Sequence, residues 1–520
     1  MREKTSWVAC VMGEGPRFPP QAGSMSIAKG DPAPGAAGTV SRRSAAPVRA
    51  PPRWRCQPAG RAAVLEREPE ENRPMNVVPA PLRFAPSLLA LMLSAVALPA
   101  LAADGDPDLT FSTDGQTTYT ISSPAVSGER ASAVLALPDG ELLIGGSSWG
   151  GAVAVEDFAV VKYQAGGTPD LGFGSLGSRV VDLGASDSLE ALFREADGRL
   201  MLAGRSGYLP AFARLTAAGN LDGTFGSGGT LVVDPPWGAA EIVTYEQTAR
   251  RTEAGKYLFA GRCRLCPAND SFRPFVARFN ADGAPDTGFD GDGWAVLPMD
   301  LGANPRIALD LDAAGRPVTA VESAAPVALW RLTAAGAPDP AWGGDGRVDT
   351  AFTTGNSFQL IVEPAGTRLY LYGAYAVRAV LPGGGLDTTF GDQGVTYLGS
   401  WDDESWVRHF ALQTDGKLVG VGGIDPVGAG LADFFLIRLG LDGEPDPTFH
   451  GNGVRRIPFD LAAGAVDIGE AITFSGGKPV AVGFATEGDG DERWAILRSE
   501  NALIFADGFE RGSTAGWAGY

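Results

Sequence analysis

The chain has 520 residues, with 42 lysines and arginines against 61 aspartates and glutamates, a net charge of −19. Residues 1–103 hold 13 of the basic and 7 of the acidic residues, so the remainder carries 29 and 54, a net charge near −25. Binding phosphate requires positive side chains that displace counterions, which excludes nucleic acid and anionic membrane surfaces as expected partners. The length suffices for one large domain or for two to three ordinary ones.

The first 102 residues differ in composition from the rest. Residues 1–74 are rich in Pro, Ala and Gly and lack apolar periodicity, so we interpret them as a disordered leader translated from upstream of a true start at Met75. Residues 75–102 contain one basic residue, Arg83, an apolar run from about Leu88 to Leu98, and a small-x-small site at 100–102. This order predicts a secretory signal peptide, with a membrane anchor as the alternative.

One short motif then recurs seven times: an Asp, two residues, an aromatic, three residues and a Gly, as in "DLTFSTDG" and "DPTFHGNG". The copies are spaced by about 56 residues on average, a period typical of propeller blades. The motif residues are Asp108, Phe111 and Gly115; Asp170, Phe173 and Gly177; Asp222, Phe225 and Gly229; Asp286, Phe289 and Gly293; Asp339, Trp342 and Gly346; Asp387, Phe390 and Gly394; and Asp446, Phe449 and Gly453.

Each repeat contains four β-rich runs separated by Gly-containing turns. In the last copy these runs are "GVRRIPFD", "AGAVDIGEAITF", "KPVAVGF" and "ERWAILRSE". Gly turns between such runs indicate antiparallel hairpins, and four short strands repeated seven times are typical of a propeller. We therefore predict an all-β protein, a seven-bladed β-propeller of four-stranded antiparallel blades that spans residues 103–500.

The pattern places the motif between the fourth strand of one repeat and the first strand of the next. Its Asp is expected to accept hydrogen bonds from backbone N–H groups two or three residues later, and its aromatic to fill space between adjacent blades. A basic residue lies eight positions before five of the aspartates, and Arg378 lies nine before Asp387. Each could bridge across the turn or simply face solvent. The five are Lys162, Arg214, Arg278, Arg331 and Arg438.

The segments "RLTAAGNLDGTFGSGGTLVV" (214–233) and "RLGLDGEPDPTFHGNGVRRI" (438–457) resemble the delta-60 repeat family of bacterial β-propellers. The resemblance covers about residues 104–500 and implies an exported propeller, but it brings no agreed activity. The fourth repeat departs from the pattern with "AAGRPVTAV", and the fifth has Trp342 in place of Phe.

The last residues, 501–520, include "LIFADGFERGSTAGW", which resembles a tail found in exported proteins of Gram-negative bacteria. That resemblance implies a role in sorting or surface display, so we expect a secreted, periplasmic or surface protein. A plain flexible tail is the first alternative. The second is a partial eighth motif, in which Arg498 precedes Asp507 by nine residues.

Candidate chemistry is sparse. Cys263 and Cys266 form "CRLC" with no second pair to complete a zinc site, so we expect a disulfide in an oxidising compartment, with a free pair as the alternative. His409 and His450 lie in different repeats. There is no zinc-protease, serine-hydrolase or Walker motif, and no catalytic residue is assigned. The runs "DGDPD", "DGDG" and "GDGDE" favour turns over calcium loops, so no cofactor is expected, with bound calcium as the alternative.

Two functions remain. The first is a monomeric, non-enzymatic binding or display scaffold that holds a protein or glycan through loops of variable length, long at 147–157, 262–273 and 424–433 and short in the fifth repeat. The alternative is a propeller-type hydrolase or lyase with a carboxylate or metal site at the central channel. Three or more carboxylates or amides from different blades, converging in that channel, would favour the enzyme.

Overall fold

A computed structural model describes residues 103–121, 127–150, 155–238, 242–244, 248–264, 266, 271–302, 305–323, 326–353, 358–398, 404–425, 431–459, 461–488 and 490–501. The leader and signal peptide predicted for residues 1–102 lie outside the described residues, as does the predicted tail after Asn501. All described residues belong to one compact unit, Ser94–Tyr520. None of them forms a helix of the length and apolarity that crossing a bilayer requires.

The described strands form seven antiparallel sheets, which confirms the predicted seven-bladed propeller. The first strand, β1 (Gln116–Tyr119), belongs to the last blade. Blade 1 contains β2 (Ser127–Ala136), β3 (Leu142–Gly150), β4 (Asp157–Tyr163) and β5 (Ser178–Val181). Blade 2 contains β6 (Asp187–Arg194), β7 (Leu200–Ser206), β8 (Leu209–Leu215) and β9 (Thr230–Val232). Blade 3 contains β10 (Ile242–Thr244), β11 (Arg250–Arg251), β12 (Tyr257–Cys263), β13 (Arg273–Phe279) and β14 (Trp294–Val296).

The remaining four blades follow the same order along the chain. Blade 4 contains β15 (Arg306–Leu311), β16 (Pro317–Glu322), β17 (Ala328–Arg331) and β18 (Arg347–Asp349). Blade 5 contains β19 (Phe358–Val362), β20 (Leu369–Gly373), β21 (Ala376–Val380) and β22 (Val395–Tyr397). Blade 6 contains β23 (Glu404–Leu412), β24 (Leu418–Asp425), β25 (Asp433–Leu439) and β26 (Val454–Arg456). Blade 7 contains β27 (Asp467–Ser475), β28 (Lys478–Thr486), β29 (Glu492–Arg498) and then β1.

The first strand of each blade is the inner one, because first strands of neighbouring blades contact each other, as β2 does with β6 and β27. The middle strands are buried on both faces between neighbouring blades; every residue of β24 and β25 is buried. Their side chains must therefore be apolar on both faces, which explains their continuous hydrophobic runs. Each apolar cluster spans two blades, so the core of the propeller is a ring of seven interfaces rather than one centre.

The ring closes through the N-terminal strand. β1 pairs antiparallel with β29, with Gln116 opposite Leu497 and Tyr119 opposite Trp494. Blade 7 therefore takes three strands from the C-terminal end and its outer strand from the N-terminal end. Separation of blades 1 and 7 would require this pairing to break.

The predicted phase of the repeat was wrong by one strand. The motif joins the third and fourth strands within a blade, not the last strand of one blade to the first of the next; in blade 6 it links β25 to β26, which pair directly. Here Asp446 N–H donates to the carbonyl of Arg438, and Arg438 N–H donates to the carbonyl of Gly453. The motif thus folds back beside the strand that it leaves. A repeat fixes the period of a sequence but not where each structural unit begins.

Candidate functional site

The motif aspartates are held by the basic residues that precede them. In the described residues, six of the seven aspartates bind a basic side chain from the third strand of their own blade through Oδ2. In five of these pairs the basic residue lies eight positions before the Asp; in the sixth, Arg498 and Asp108 lie at opposite ends of the described chain. The N–Oδ2 distances are 3.1 Å for Lys162–Asp170, 2.8 Å for Arg214–Asp222, 2.7 Å for Arg278–Asp286, 2.8 Å for Arg331–Asp339, 2.8 Å for Arg438–Asp446 and 2.6 Å for Arg498–Asp108. The last pair joins the two ends of the described chain, so Arg498 serves the first motif; its proposed partner Asp507 lies outside the described residues.

Arg378 is the exception, and its spacing explains why. The backbone contacts that other motifs make with the basic residue are made in blade 5 by Ala379. Arg378 therefore points to the opposite face of β21, where its guanidinium lies over Phe352. Asp387 instead accepts a hydrogen bond from Arg368 Nε at 2.8 Å. The predicted bridge between Arg378 and Asp387 does not form.

A second cation reaches most motif aspartates from the hairpin between the first two strands of the blade, which sequence reasoning missed. The signal was a basic residue directly after the turn glycine in five repeats and two residues after it in the fifth repeat, as Arg368; the first repeat has Glu141 there. The contacts are Arg199–Asp222 at 3.1 Å, Lys256–Asp286 at 3.2 Å, Arg316–Asp339 at 2.9 Å, Lys417–Asp446 at 2.9 Å and Lys478–Asp108 at 2.9 Å. We call each motif Asp with its basic partners and the stacked aromatic a clasp.

The clasp aromatic lies under the guanidinium and between blades. Arg438 Cζ is 4.9 Å from the ring centroid of Phe449, which packs with residues of both blade 6 and blade 7. His450 N–H, the next residue, donates to the carbonyl of Asp104 at 2.8 Å and so ties this clasp to the closing segment of blade 7. Gly453 has a φ of +84°, and a Cβ there would come within 2.6 Å of Pro445, which explains the invariant motif glycine.

Clasp electrostatics indicate a structural role. Burial raises the pKa of Asp108, but hydrogen bonds from Thr110, Lys478 and Arg498 outweigh it and hold that pKa well below its usual range. For Asp446, burial is likewise outweighed by hydrogen bonds from Lys417 and Thr448. Carboxylates that are permanently ionised and saturated with donors are poor proton carriers. These contacts favour a structural role for the clasp aspartates over proton transfer.

The two histidines also have structural partners. Burial, and then the positive charge of Arg250, lower the pKa of His409 to about 4, and its Nδ1 accepts the Ile472 N–H at 3.3 Å. His450 contacts Asp106 through Nδ1 at 3.1 Å and Arg455 through Nε2 at 3.0 Å. Neither arrangement pairs a histidine with a nucleophile.

Cys263 and Cys266 form a disulfide with a Cα–Cα distance of 5.9 Å. Both residues are fully buried and belong to the apolar cluster shared by blades 2 and 3. The bond lies where β12 ends, at the start of the long loop to β13. It fixes the first residues of that loop against the core.

A cavity of 280 Å³ lies where blades 6, 7, 1 and 2 meet at the inner strands. In each of these four blades the inner strand carries a β-bulge, which inserts one unpaired residue. The bulged residues are Ser132, Glu190, Arg408 and Glu470, and all four line the cavity. Bulges re-aim side chains, so the strands that form the channel wall also present these groups to the cavity.

The cavity is polar and its charges balance. Glu156, Glu190 and Glu470 come from three different blades, and three arginines, Arg130, Arg205 and Arg408, line the same cavity. Arg408 Nε lies 3.7 Å from Glu470, and Arg130 lies 2.7 Å from Glu492. Serine hydroxyls from Ser132, Ser147 and Ser188 complete the lining. Such a surface offers both donors and acceptors to a polar ligand without favouring a polyanion or a polycation.

The variable loops lie at the same end of the propeller. Ser147 near the end of β3 and Glu156 just before β4 both line the cavity, so the intervening loop of blade 1 leaves and returns beside it. The equivalent loop of blade 6 runs between β24 and β25, and that of blade 5 spans only 374–375 between β20 and β21. Residues 151–154 and 426–430 lie outside the described residues.

A family model described as a domain of unknown function (DUF5122) beta-propeller matches residues 137–173, 195–225, 255–289 and 413–449. Each matched segment runs from a hairpin turn to a motif aromatic. No curated protein matches the chain. Similar solved structures include a Lactobacillus plantarum protein at 14% identity and TM-score 0.36, covering 60% of this chain and 81% of that one.

Two further solved structures match the chain with comparable identities and TM-scores. One is an unknown-function protein from Dyadobacter fermentans DSM 18053, at 11% identity and TM-score 0.34, covering 76% of this chain and 97% of that one. Another is prolyl oligopeptidase B from Galerina marginata, at 12% identity and TM-score 0.38, covering 73% of this chain and 52% of that one. The four matched segments are similar to that β-propeller family, and the seven-bladed fold of the described residues agrees with the description of the family.

Proposed function

We propose that the protein is an exported, non-enzymatic propeller of the delta-60 type that binds a polar ligand at the channel cavity, with the variable loops of blades 1 and 6 extending the contact surface. The observation that carries this proposal is the cavity itself: four bulged inner strands direct Ser132, Glu190, Arg408 and Glu470 to one place. Bulges interrupt the ladder at a cost in regular pairing, and they are common beside functional sites.

The chemistry of the lining favours a glycan as the ligand. Sugar hydroxyls both donate and accept, and they pair well with a lining that offers guanidinium, carboxylate and hydroxyl groups together. The acidic surface of the chain is compatible with an uncharged ligand and with solubility outside the cell. The same proposal includes export of the protein to the periplasm, the cell surface or the medium. It also includes a role of the C-terminal tail in sorting.

The test is a glycan-array screen of the full chain, followed by titration of the best ligand. Glu190→Gln and Arg408→Gln each remove one charge from the cavity and are expected to weaken binding by at least about tenfold, because each breaks a charge-assisted hydrogen bond. Arg347→Gln is the matched control, since Arg347 pairs with Asp349 on the outer strand of blade 4.

Equal binding by all three variants would exclude the cavity as the site. Hydrolysis or elimination of the bound glycan, abolished by Glu156→Gln, Glu190→Gln or Glu470→Gln, would instead favour the enzyme. Three glutamates from three blades meet the criterion stated above for an enzyme, so the hydrolase or lyase is the second candidate function. Binding is preferred because three arginines line the same cavity and one of them, Arg408, lies 3.7 Å from Glu470. A hit on peptides alone would identify a protein partner in place of a glycan.

A further inference from the structure

Three carboxylates meet at the junction of blades 1 and 2, beside the cavity. Asp157 begins β4, Asp182 follows β5, and Asp187 begins β6. One carboxylate oxygen from each lies within 4.8 Å of the others. None of the three forms an ion pair with a described residue. Three negative charges are therefore concentrated without a cation from the part of the chain that the structure describes.

Asp187 supplies an independent sign of a missing partner. The residue is fully buried. Its Oδ2 accepts the Leu183 N–H at 2.6 Å, whereas its Oδ1 is buried and forms no hydrogen bond of regular geometry, although Ser206 and the Ala185 N–H lie close enough to lower the pKa of the carboxyl. A buried carboxylate oxygen without a partner is costly, so such atoms in folded proteins are normally satisfied by a donor or an ion.

Blade 6 shows how the same position is neutralised elsewhere in the chain. By strand register, Asp433 on β25 corresponds to Asp157, and Asp467 on β27 corresponds to Asp187. Asp467 Oδ2 accepts the Phe459 N–H at 2.8 Å, just as Asp187 accepts that of Leu183. There Asp433 forms an ion pair with Arg456 on β26.

Blade 1 lacks that cation. The residue on β5 that corresponds to Arg456 is Val180, which faces Ala159 as Arg456 faces Phe435. In its place blade 1 has a further carboxylate, Asp182. Blade 6 has Arg456 beside its two carboxylates, whereas blade 1 has Asp182 beside Asp157 and Asp187. The salt bridge of blade 6 is therefore replaced in blade 1 by a candidate cation site.

The directions of two pKa shifts agree with a missing cation at this site. Burial, followed by the charges of Asp182 and Asp187, raises the pKa of Asp157. Burial is also the main cause that raises the pKa of Asp187, and the nearby Asp182 contributes. A bound cation would remove this repulsion.

We propose that Asp157, Asp182 and Asp187 bind a calcium ion. Ca²⁺ accepts carboxylate oxygens in a flexible, irregular shell, whereas Mg²⁺ demands near-ideal octahedral geometry and usually keeps several of its waters. Three carboxylate oxygens within 4.8 Å of one another, held on separate segments of two blades, match the ligand set of Ca²⁺ better. The ion joins the third and fourth strands of blade 1 to the inner strand of blade 2. Because Glu156 and Ser188 line the cavity and adjoin two of the ligands, calcium braces this part of the cavity wall.

The test is calcium titration of the full chain after treatment with chelator, by calorimetry and by thermal unfolding. We expect one site with a Kd at or below about 1 mM, weaker binding of Mg²⁺, and a rise in Tm of at least about 3 °C in 10 mM CaCl₂. Two substitutions at exposed positions remove the site without disturbing the core. Asp182→Asn deletes a ligand, and Val180→Arg supplies the cation that blade 6 has.

Both variants are expected to lose at least about tenfold in calcium affinity. Val180→Arg should also melt above the wild type in chelator, because its guanidinium replaces the ion. Asp349→Asn, an exposed aspartate on blade 4, is the control and should bind calcium as the wild type does. Absence of calcium binding to the wild type at 10 mM, or unchanged affinity in both site variants, would overturn the proposal.

Discussion

Replacement of Arg498 by methionine tests the closure of the ring. Arg498 donates from Nε to Asp108 at 2.6 Å, from one Nη to Ala165 O at 2.7 Å and from the other to Thr110 at 3.1 Å. Its guanidinium also lies 4.7 Å from the ring centroid of Phe111. Asp108 is fully buried, and the Arg498 side chain is 10% exposed. Methionine keeps most of the apolar contact and removes the charge and all three donors.

The expected loss follows from these contacts. Removing one partner of a buried ion pair costs about 3–5 kcal/mol, and Lys478 remains 2.9 Å from Asp108 to limit the penalty. We therefore expect Arg498→Met to lower the free energy of unfolding by about 3 kcal/mol. Chemical denaturation followed by circular dichroism measures this. Arg347→Met removes an exposed pair and is expected to cost only about 0–1 kcal/mol.

An internal clasp gives a second comparison. Arg214→Met removes the equivalent bridge to Asp222 within blade 2, so its loss should be of similar size. A loss for Arg498→Met no larger than that for Arg347→Met would refute the reasoning that the clasp closes the ring. A loss confined to Arg498→Met would show that closure matters and that the remaining clasps do not.

Three further predictions follow from the clasp and from the sequence. Phe225→Ala, at a position 1% exposed between blades, should cost about 3–5 kcal/mol in denaturant titration, whereas Leu171→Ala, 66% exposed, should cost little; equal losses would exclude the interface role. The clasp aspartates have lower pKa values in the folded protein than in the unfolded chain, so the stability that they contribute is fully present above the ordinary pKa of 3.8 and is lost as the pH falls below it. The free energy of unfolding should therefore fall steeply below about pH 4. Asp108→Asn should make that fall less steep. Mass spectrometry of the exported protein should find an N-terminus near Ala103, and a mature protein that begins at Met1 would contradict the predicted signal peptide.

The number of blades could be predicted because each blade contains the same turn motif with the same internal spacing. The Asp, the aromatic and the Gly must keep their spacing for the motif to fold back on the preceding strand, so their period is visible in the sequence. The phase was not visible, because any strand of a cyclic repeat can be taken as the first. The exchange of Arg378 for Arg368 at Asp387 was hidden for a related reason: a shift of one residue reverses the face of a strand.

The cavity and the acidic cluster could not be predicted. Ser132, Glu190, Arg408 and Glu470 share a position in the fold but no residue type, and only the bulges in four inner strands reveal their equivalence. Asp157 and Asp187 begin strands of two different blades and Asp182 follows a third strand, and the acidic runs that first suggested calcium are elsewhere. Sites assembled across blades depend on register, which local composition does not encode.

Hydrogen exchange with and without the best glycan from the array tests the central claim most directly. If the ligand binds in the channel cavity, protection should concentrate in peptides that contain the bulges of β6, β23 and β27 and the start of β4. Peptides that contain the clasp glycines, such as Gly229 and Gly346, should exchange unchanged. Protection confined to the peptides that contain the clasps, or to the C-terminal tail, would contradict the account.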